Sequence, residues 1–342
     1  MTNALVLVVP GLLALPAQLL AGVRSLRALA RYADPPRAEP RGIAAALFAT
    51  LGVAAATPVA PLALLGAGGD PGDDYVLCAD PVHLAADRDT VLLVQTIEDL
   101  SQDDAATLVR MLDRHFADDG LRFDAVRPDA WFARRRHPAE LVTTPPDVAR
   151  GRNLIANLPR GADSGTWKRW QNEIEMLLYE HPVNAAREQG GMPAANALWF
   201  WGGGRMADVG PLPPTIVTAP QTRLGDVARG IARRAGRDCA AMNADPARLV
   251  AEADAMNIDT ADTPLVCMAV LPPLGNDLQR VEATWLVPAI ELLTTRRIGA
   301  LHVVADGNGA AATWTARAPT LWQRLAACAS RRAFEVAPPS DA

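Results

Sequence analysis

Short apolar runs alternate along the chain with longer stretches in which apolar residues recur every three or four positions. Leu5–Val9, Tyr75–Ala79, Val91–Ile97, Ala197–Trp201, Thr215–Thr218, Leu265–Leu271 and Ala300–Ala305 have the length and apolar content of strands. Ser101–Phe116 opens with Ser101 and Asp104 in capping-box spacing and sets Leu108, Met111, Leu112 and Phe116 on one stripe, bordered by His115. Thr166–His181 puts Trp167, Trp170, Ile174, Leu177, Leu178 and His181 on one helical face, and Pro182 prevents its continuation. Asp245-Pro246 is an N-cap followed by a first-turn proline, which predicts a helix running to about Met256. Asp277–Arg297 predicts a long helix kinked at Pro288. Strands and helices in this alternation predict an α/β fold with a largely parallel sheet.

The first residues are apolar enough to be mistaken for a signal peptide or a membrane span. Pro10 and Pro16 cut them into pieces too short for roughly 30 Å of hydrocarbon, and no basic residue stands before them. The expectation is a buried first strand, Ala4–Val9, and a following helix, Pro16–Ala30. Gly66–Asp74 is a turn-rich loop, while Arg134–Arg152 and Gly202–Pro214, rich in Pro, Gly and Arg, bracket the tryptophan-bearing helix. The organisation expected from this is a first part of an α/β core over 1–74, an inserted cap domain over 75–214, a second part of the core over 215–337, and a short disordered tail over 338–342.

Composition narrows the chemistry. The 342 residues suffice for two domains, and 50% hydrophobic with 21% charged residues describes a folded soluble chain. A net charge of −5 supplies no positive field for nucleic acid, so neither nucleic acid nor membrane is expected as a partner. Lys168 is the single lysine and sits in TWKRW with no glycine loop before it, which removes P-loop and Schiff-base chemistry. Cys78, Cys239, Cys267 and Cys328 lie far apart without a CxxC pair; Cys78 and Cys267 fall inside apolar runs, as free thiols of a reducing cytoplasm do. A cytoplasmic location is expected on that ground.

The histidines His83, His115, His137, His181 and His302 form no HxH or HExxH, so no local zinc motif exists. GADSG at 161–165 places its serine one position too late for a nucleophile elbow. Gly202-Gly203-Gly204 leads into Arg205 and a proline-rich stretch, not into the helix a dinucleotide fingerprint requires. One segment gathers chemistry: His181, Asn184, Arg187, Asn196 and Arg205 with Trp199 and Trp201. Arginine forks and asparagine amides hold carboxylate or phosphate, and tryptophans wall a pocket. The same residues also read as plain structure, with Trp199 and Trp201 in the core, His181 capping a helix C-terminus and the asparagines satisfying turn backbone. Asp80 and His83 make a second, weaker cluster, equally readable as an Asp-Pro turn with a satisfied histidine.

The stretch HPVNAAREQGGMPAANALWFWGGGR over 181–205 resembles the signature of the archaeal-type, cofactor-independent phosphoglycerate mutases, in which HPVN, an arginine, PAN and a WxWG run follow in this order. VLLVQTIEDLSQDDAATLVRMLDRHF over 91–116 resembles their strand, acidic turn and helix, and the whole chain, with ADPVHL over 79–84, looks closest to the bacterial offshoot of that family, the regulatory proteins of the RpfE type. The resemblance implies an alkaline-phosphatase-like, three-layer α/β core with a largely parallel sheet and an inserted α/β cap.

The departures from that family fall on its chemistry. Its first strand runs into an Asp-Gly metal motif, whereas this chain has Val8-Val9-Pro10-Gly11-Leu12-Leu13. Its nucleophilic serine precedes a Leu-Leu-Gly run; set against Leu64-Leu65-Gly66, this chain offers only the Thr57 hydroxyl. Where the family supplies late metal residues, this chain has only Asp277 and an Asp306-Gly307 pair. Two cations need roughly six to eight hard or imidazole ligands. The resulting expectation is a catalytically degenerate, regulatory or ligand-sensing protein with no catalytic residue, no metal and no cofactor. Its expected partners are a small phosphorylated or carboxylic acid ligand, held by the seven residues of 181–205 named above with Asp80 and His83, and a protein partner. The alternative is an active mutase or phosphohydrolase with atypical metal ligands.

Overall fold

The computed structural model describes residues 4–88, 90–237, 245–255, 265–275 and 277–318. Met256, Cys239, Cys328 and the expected tail over 338–342 lie outside them. The strands in chain order are β1 (Ala4–Val9), β2 (Arg37–Glu39), β3 (Tyr75–Asp87), β4 (Thr90–Thr96), β5 (Arg122–Arg127), β6 (Ala130–Arg135), β7 (Ala197–Gly204), β8 (Thr215–Thr218), β9 (Val266–Val270), β10 (Ala300–Gly307) and β11 (Ala310–Arg317). They belong to two compact units, Met1–Ala55 with Pro211–Pro220 and Ile231–Ala342, and Ala56–Gly210 with Gln221–Gly230. Residues 56–74, grouped on sequence with the first part of the core, pack in the second unit.

The first unit holds a six-stranded sheet in the order β2-β11-β10-β1-β9-β8. β1 lies between β9 and β10, parallel to both, with Leu5 opposite Cys267 and Leu301. Both faces of such a strand are covered, which is why Leu5–Val9 reads as an unbroken apolar run and is at most 1% exposed. Only β11, between β10 and the edge strand β2, runs antiparallel to its neighbours. The α/β class with a largely parallel sheet is thus the fold of this unit. The helix expected over Pro16–Ala30 is two, Ala17–Gly22 and Arg24–Tyr32, separated by an extended Val23. The kink expected at Pro288 is a wide π turn over Glu282–Leu286 just before the helix Val287–Thr294. A proline ring crowds the carbonyl four residues back, and a wider turn there relieves it.

The second unit's sheet is antiparallel, in contrast to the first. β3 pairs with β4, β6 and β7, and β5 extends the sheet beyond β6. The helix Gln102–His115 starts where the sequence sets it, the Ser101 hydroxyl accepting from the Asp104 N–H at 3.1 Å, and it buries Leu108 and Leu112 with Phe116 just beyond. The tryptophan helix spans Ser164–Tyr179 and buries Trp167, Trp170, Ile174 and Leu178 against Phe200 and Phe116. The helix Ala60–Ala67 and residues 223–230 of the helix Arg223–Arg234 meet at two glycines: a Cβ on Gly66 would lie 1.7 Å from the Asp226 carbonyl oxygen, and one on Gly230 1.9 Å from that of Leu62. No helix among the described residues is long and apolar enough to cross a membrane.

Candidate functional site

Segment 181–205 folds as a helix, Pro182–Gln189, a glycine turn and strand β7. His181 follows the end of the tryptophan helix, its N–H donating to the Leu178 carbonyl at 3.3 Å, and it caps the N-terminus of the short helix, its Nδ1 accepting from the Val183 N–H at 3.2 Å. Burial lowers its pKa, in keeping with a neutral ring that accepts. Asn184 is buried; its amide donates to the Leu178 and Ala195 carbonyls at 2.8 and 2.9 Å and its oxygen accepts from the Ala195 N–H at 2.9 Å. Arg187 donates from Nε to the Pro193 carbonyl at 2.9 Å and from Nη2 to Asp99 at 2.6 Å.

Asn196 behaves as a piece of sheet. Its oxygen accepts from the Leu84 N–H and its amide donates to the Leu84 carbonyl, both at 2.8 Å, where the pairing of β3 with β4 slips between His83 and Leu84. A bulge leaves peptide groups without ladder partners, and this side chain supplies them. His83 donates from Nδ1 to the Ala194 carbonyl at 2.9 Å, the only role open to a ring nitrogen facing an acceptor. Trp199 donates to the Thr144 carbonyl at 2.8 Å, and Arg205 to the Arg136 carbonyl at 2.6 Å. The three glycines after Trp201 answer to close neighbours in the same unit: a Cβ on Gly202, Gly203 or Gly204 would strike Val59, Tyr75 or Pro58.

Asp80 and Trp201 do come together, and they open onto a charge network that sequence reading did not find. Asp80 is buried; one carboxylate oxygen accepts from the Trp201 indole at 2.6 Å, and the other from Arg223, whose Nε lies 2.9 Å away. Arg223 also donates to the Trp131 carbonyl at 3.0 Å and stacks 4.5 Å from the centre of the Phe132 ring. Burial is the largest single influence and opposes its charge, but its neighbours together, Asp80 first among them and Asp226 included, outweigh it, and the guanidinium holds its proton more tightly than usual. One turn along, Asp226 is fully buried, bound by both Nη groups of Arg127 at 2.9 Å and by Arg229. Arg127 is shared with Asp129 at 3.0 Å. Three carboxylates therefore answer three guanidiniums. Cys78 sits among them, but burial pushes its thiol up, so it supplies no thiolate. The sequence signal was available: Arg223 and Asp226 are spaced one helical turn apart in TRLGD, and Arg127 and Asp129 flank the Pro128 turn of a hairpin.

An open groove of about 390 Å³ elsewhere in this unit is lined by Leu64, Val109, Arg110, Phe123 and Arg134, and none of the expected ligand residues lines it.

The rim of the first unit's sheet is the place to test for a pair of cations. After β1 the chain turns through Pro10 and Gly11, and the Asp306 carboxylate accepts from the Gly11 N–H at 2.7 Å. Asp306 thus fastens the turn. Asp277 is largely exposed, 3.8 Å from Arg280. Among the described residues, no three His, Cys, Asp or Glu side chains assemble into a group that could hold a metal ion. The donors among the described residues do not fit a two-cation centre. Thr57, the hydroxyl matched to the family's nucleophile, is buried in the second unit.

No family model matches the chain. It is 31% identical over 110 residues to the 2,3-bisphosphoglycerate-independent phosphoglycerate mutase of Methanosarcina mazei, a match covering 31% of this chain and 27% of that one. It is 38% identical over 65 residues to the enzyme of the same name from Methanothrix thermoacetophila, covering 19% of this chain and 17% of that one. The chain therefore spans at most about a quarter of the length of these relatives. The solved structure of the PH0037 protein from Pyrococcus horikoshii superposes with a TM-score of 0.50 at 15% identity, covering 92% of this chain and 87% of that one, which shows a shared fold. In sequence, then, about a third of this chain is similar to cofactor-independent phosphoglycerate mutases.

Proposed function

We propose that the chain is a phosphoglycerate-mutase-like protein whose phosphoryl-transfer chemistry has lapsed, and that it acts by binding, as a regulatory or ligand-sensing protein of the RpfE type. The observation that carries this reading is the state of the sheet rim in the first unit, where one carboxylate, Asp306, is committed to the Gly11 N–H and the other, Asp277, faces solvent. Without a set of hard donors a hydroxyl nucleophile has no activator and the charge of a transferring phosphoryl group is unscreened. The ligand proposed is a small phosphorylated or carboxylic acid. The buried free thiols Cys78 and Cys267 suit a reducing cytoplasm.

The test is metal analysis of the purified chain together with mutase and phosphatase assays in added manganese, zinc or magnesium. The expected outcome is no turnover above blank with any of them and substoichiometric metal. Stoichiometric manganese or zinc with turnover would replace this reading by an active mutase or phosphohydrolase using atypical ligands.

A further inference from the structure

The open groove of the second unit follows the free edge of its sheet. β5 ends the strand order β4-β3-β6-β5, and among the described residues no strand pairs with its other edge. The groove, about 390 Å³, is lined by residues 123–126 of β5, by Val109 and Arg110 of the helix Gln102–His115, and by Leu64 of the helix Ala60–Ala67. Successive residues of a strand point to opposite faces of a sheet. Phe123 belongs to the apolar cluster of Val109 and Leu112 on one face. Asp124 lies opposite Phe132, whose ring meets Arg223 on the other face, where residues 223–230 pack against the helix Ala60–Ala67. A hollow that touches both sets runs along the outer edge of β5, with a helix on either side.

Backbone groups are open along that edge. The Phe123 N–H points away from β6 and donates to Asp113 Oδ1 at 3.1 Å. In an antiparallel ladder such outward groups recur at every second residue, and the register with β6 is unbroken from Phe123 to Ala125. The Phe123 carbonyl and the N–H and carbonyl of Ala125 therefore face the same way, and outside the ladder they have no hydrogen-bond partner among the described residues. Of the charges that line the groove, Arg134 is met by Asp124 at 3.2 Å and by Asp74 at 3.1 Å. Arg110 donates to the Thr107 hydroxyl at 3.0 Å and forms no ion pair among the described residues. The groove is thus left with one unanswered cation.

We propose that the edge of β5 accepts an extended peptide segment of a partner protein, added to the sheet as a further strand, with an acidic side chain set against Arg110. The open N–H and carbonyl groups supply main-chain pairing, Val109 and Phe123 supply apolar contact, and Arg110 favours a carboxylate. Four residues of strand measure roughly 13 Å, which suits about four residues of a single extended chain. A second copy of β5 fits less well, since it would bring its own flanking helices into a hollow already bounded by two. The proposal rests on the reading of the protein as one that acts by binding, and it names the class of partner.

The experiment selects ligands for the full chain from a displayed library of random short peptides and measures the affinity of the synthetic, fluorescently labelled peptides by anisotropy. It compares the unmodified protein with Ala125→Pro, Arg110→Glu and, as a control of equal charge change, Lys168→Glu on the helix Ser164–Tyr179. Proline is tolerated in an edge strand where its nitrogen faces outward, and here it removes the outward donor. Arg110 is exposed, so Arg110→Glu carries the test even if Ala125→Pro folds poorly. The expected result is selected peptides rich in Asp or Glu, whose binding is lost in Ala125→Pro, weakened about tenfold by Arg110→Glu and unchanged by Lys168→Glu. Failure to select any peptide, or equal affinity in the Arg110→Glu and Lys168→Glu proteins, would overturn the proposal. So would a dimer of the unmodified chain, seen by sedimentation and lost in Ala125→Pro, which would give the edge to a second copy. Turnover in the assays above would sink the functional reading and leave these affinities standing, whereas unaltered binding in the variants would sink the site alone.

Discussion

In the first unit β1 runs through the core with Leu5, Leu7 and Val9 among leucine, valine and isoleucine neighbours, while the second unit buries Asp80, Asn184 and Asp226. Apolar packing is non-directional and tolerates many arrangements; a hydrogen-bonded buried charge tolerates one. The first unit gains its order from strands covered on both faces, whereas the second, an antiparallel sheet with long connections, is fastened by polar side chains that bind backbone. The motif that stands out in the sequence, HPVN through PAN to the tryptophans, supplies many of those fastenings.

The sharpest way to break this contrast is Asp226→Asn. The change is nearly isosteric, yet it leaves Arg127 and Arg229 buried without their shared carboxylate. The expected loss is about 3–5 kcal/mol of the second unit's stability, read by urea denaturation with tryptophan fluorescence. A loss below about 1 kcal/mol would show that apolar packing alone holds this unit.

Asn184→Ala should cost less, about 2–3 kcal/mol, because the Leu178 carbonyl and both peptide groups of Ala195 lose a buried partner while no charge is stranded. The same variant separates fastening from ligand contact. A protein that keeps its affinity for the small acid proposed above while losing stability fits the hydrogen bonds described; one that keeps its stability and loses affinity would return Asn184 to a pocket.

How much of this was legible in the sequence follows from the same physics. β1, β9 and β10 announce themselves because strands buried on both faces are apolar runs, and the Ser101 cap because its spacing is local. β5 and β6 are not legible in the sequence: Arg122, Asp124, Arg127 and Arg134 interrupt any apolar pattern, and several of their charges are met by partners distant in sequence, such as Asp74 and Asp226. The polar residues of 181–205 were visible as a group, but sequence alone cannot distinguish an asparagine that holds a ligand from one that completes a bulge 112 residues away. Arg223, central to the buried network, shows in sequence only its one-turn spacing to Asp226, since its partner Asp80 lies 143 residues earlier.

The smallest expected effect probes the first unit's exception to apolar packing. His302 on β10 is largely buried, its Nδ1 3.0 Å from the Thr315 hydroxyl, and burial, aided by Arg317, lowers its pKa below the usual 6.5. Between that lowered value and 6.5 the unfolded chain binds the proton that the folded one refuses. The penalty is absent above pH 6.5 and grows as pH falls through it, until the folded ring itself protonates. His302→Gln removes the titration, so denaturation midpoints of the two proteins, measured from pH about 8 down to about 5, should diverge below neutrality with the unmodified chain losing more. A constant gap across that range would mean the ring protonates as freely in the sheet as in the unfolded chain, and the first unit would then tolerate a buried charge as the second does.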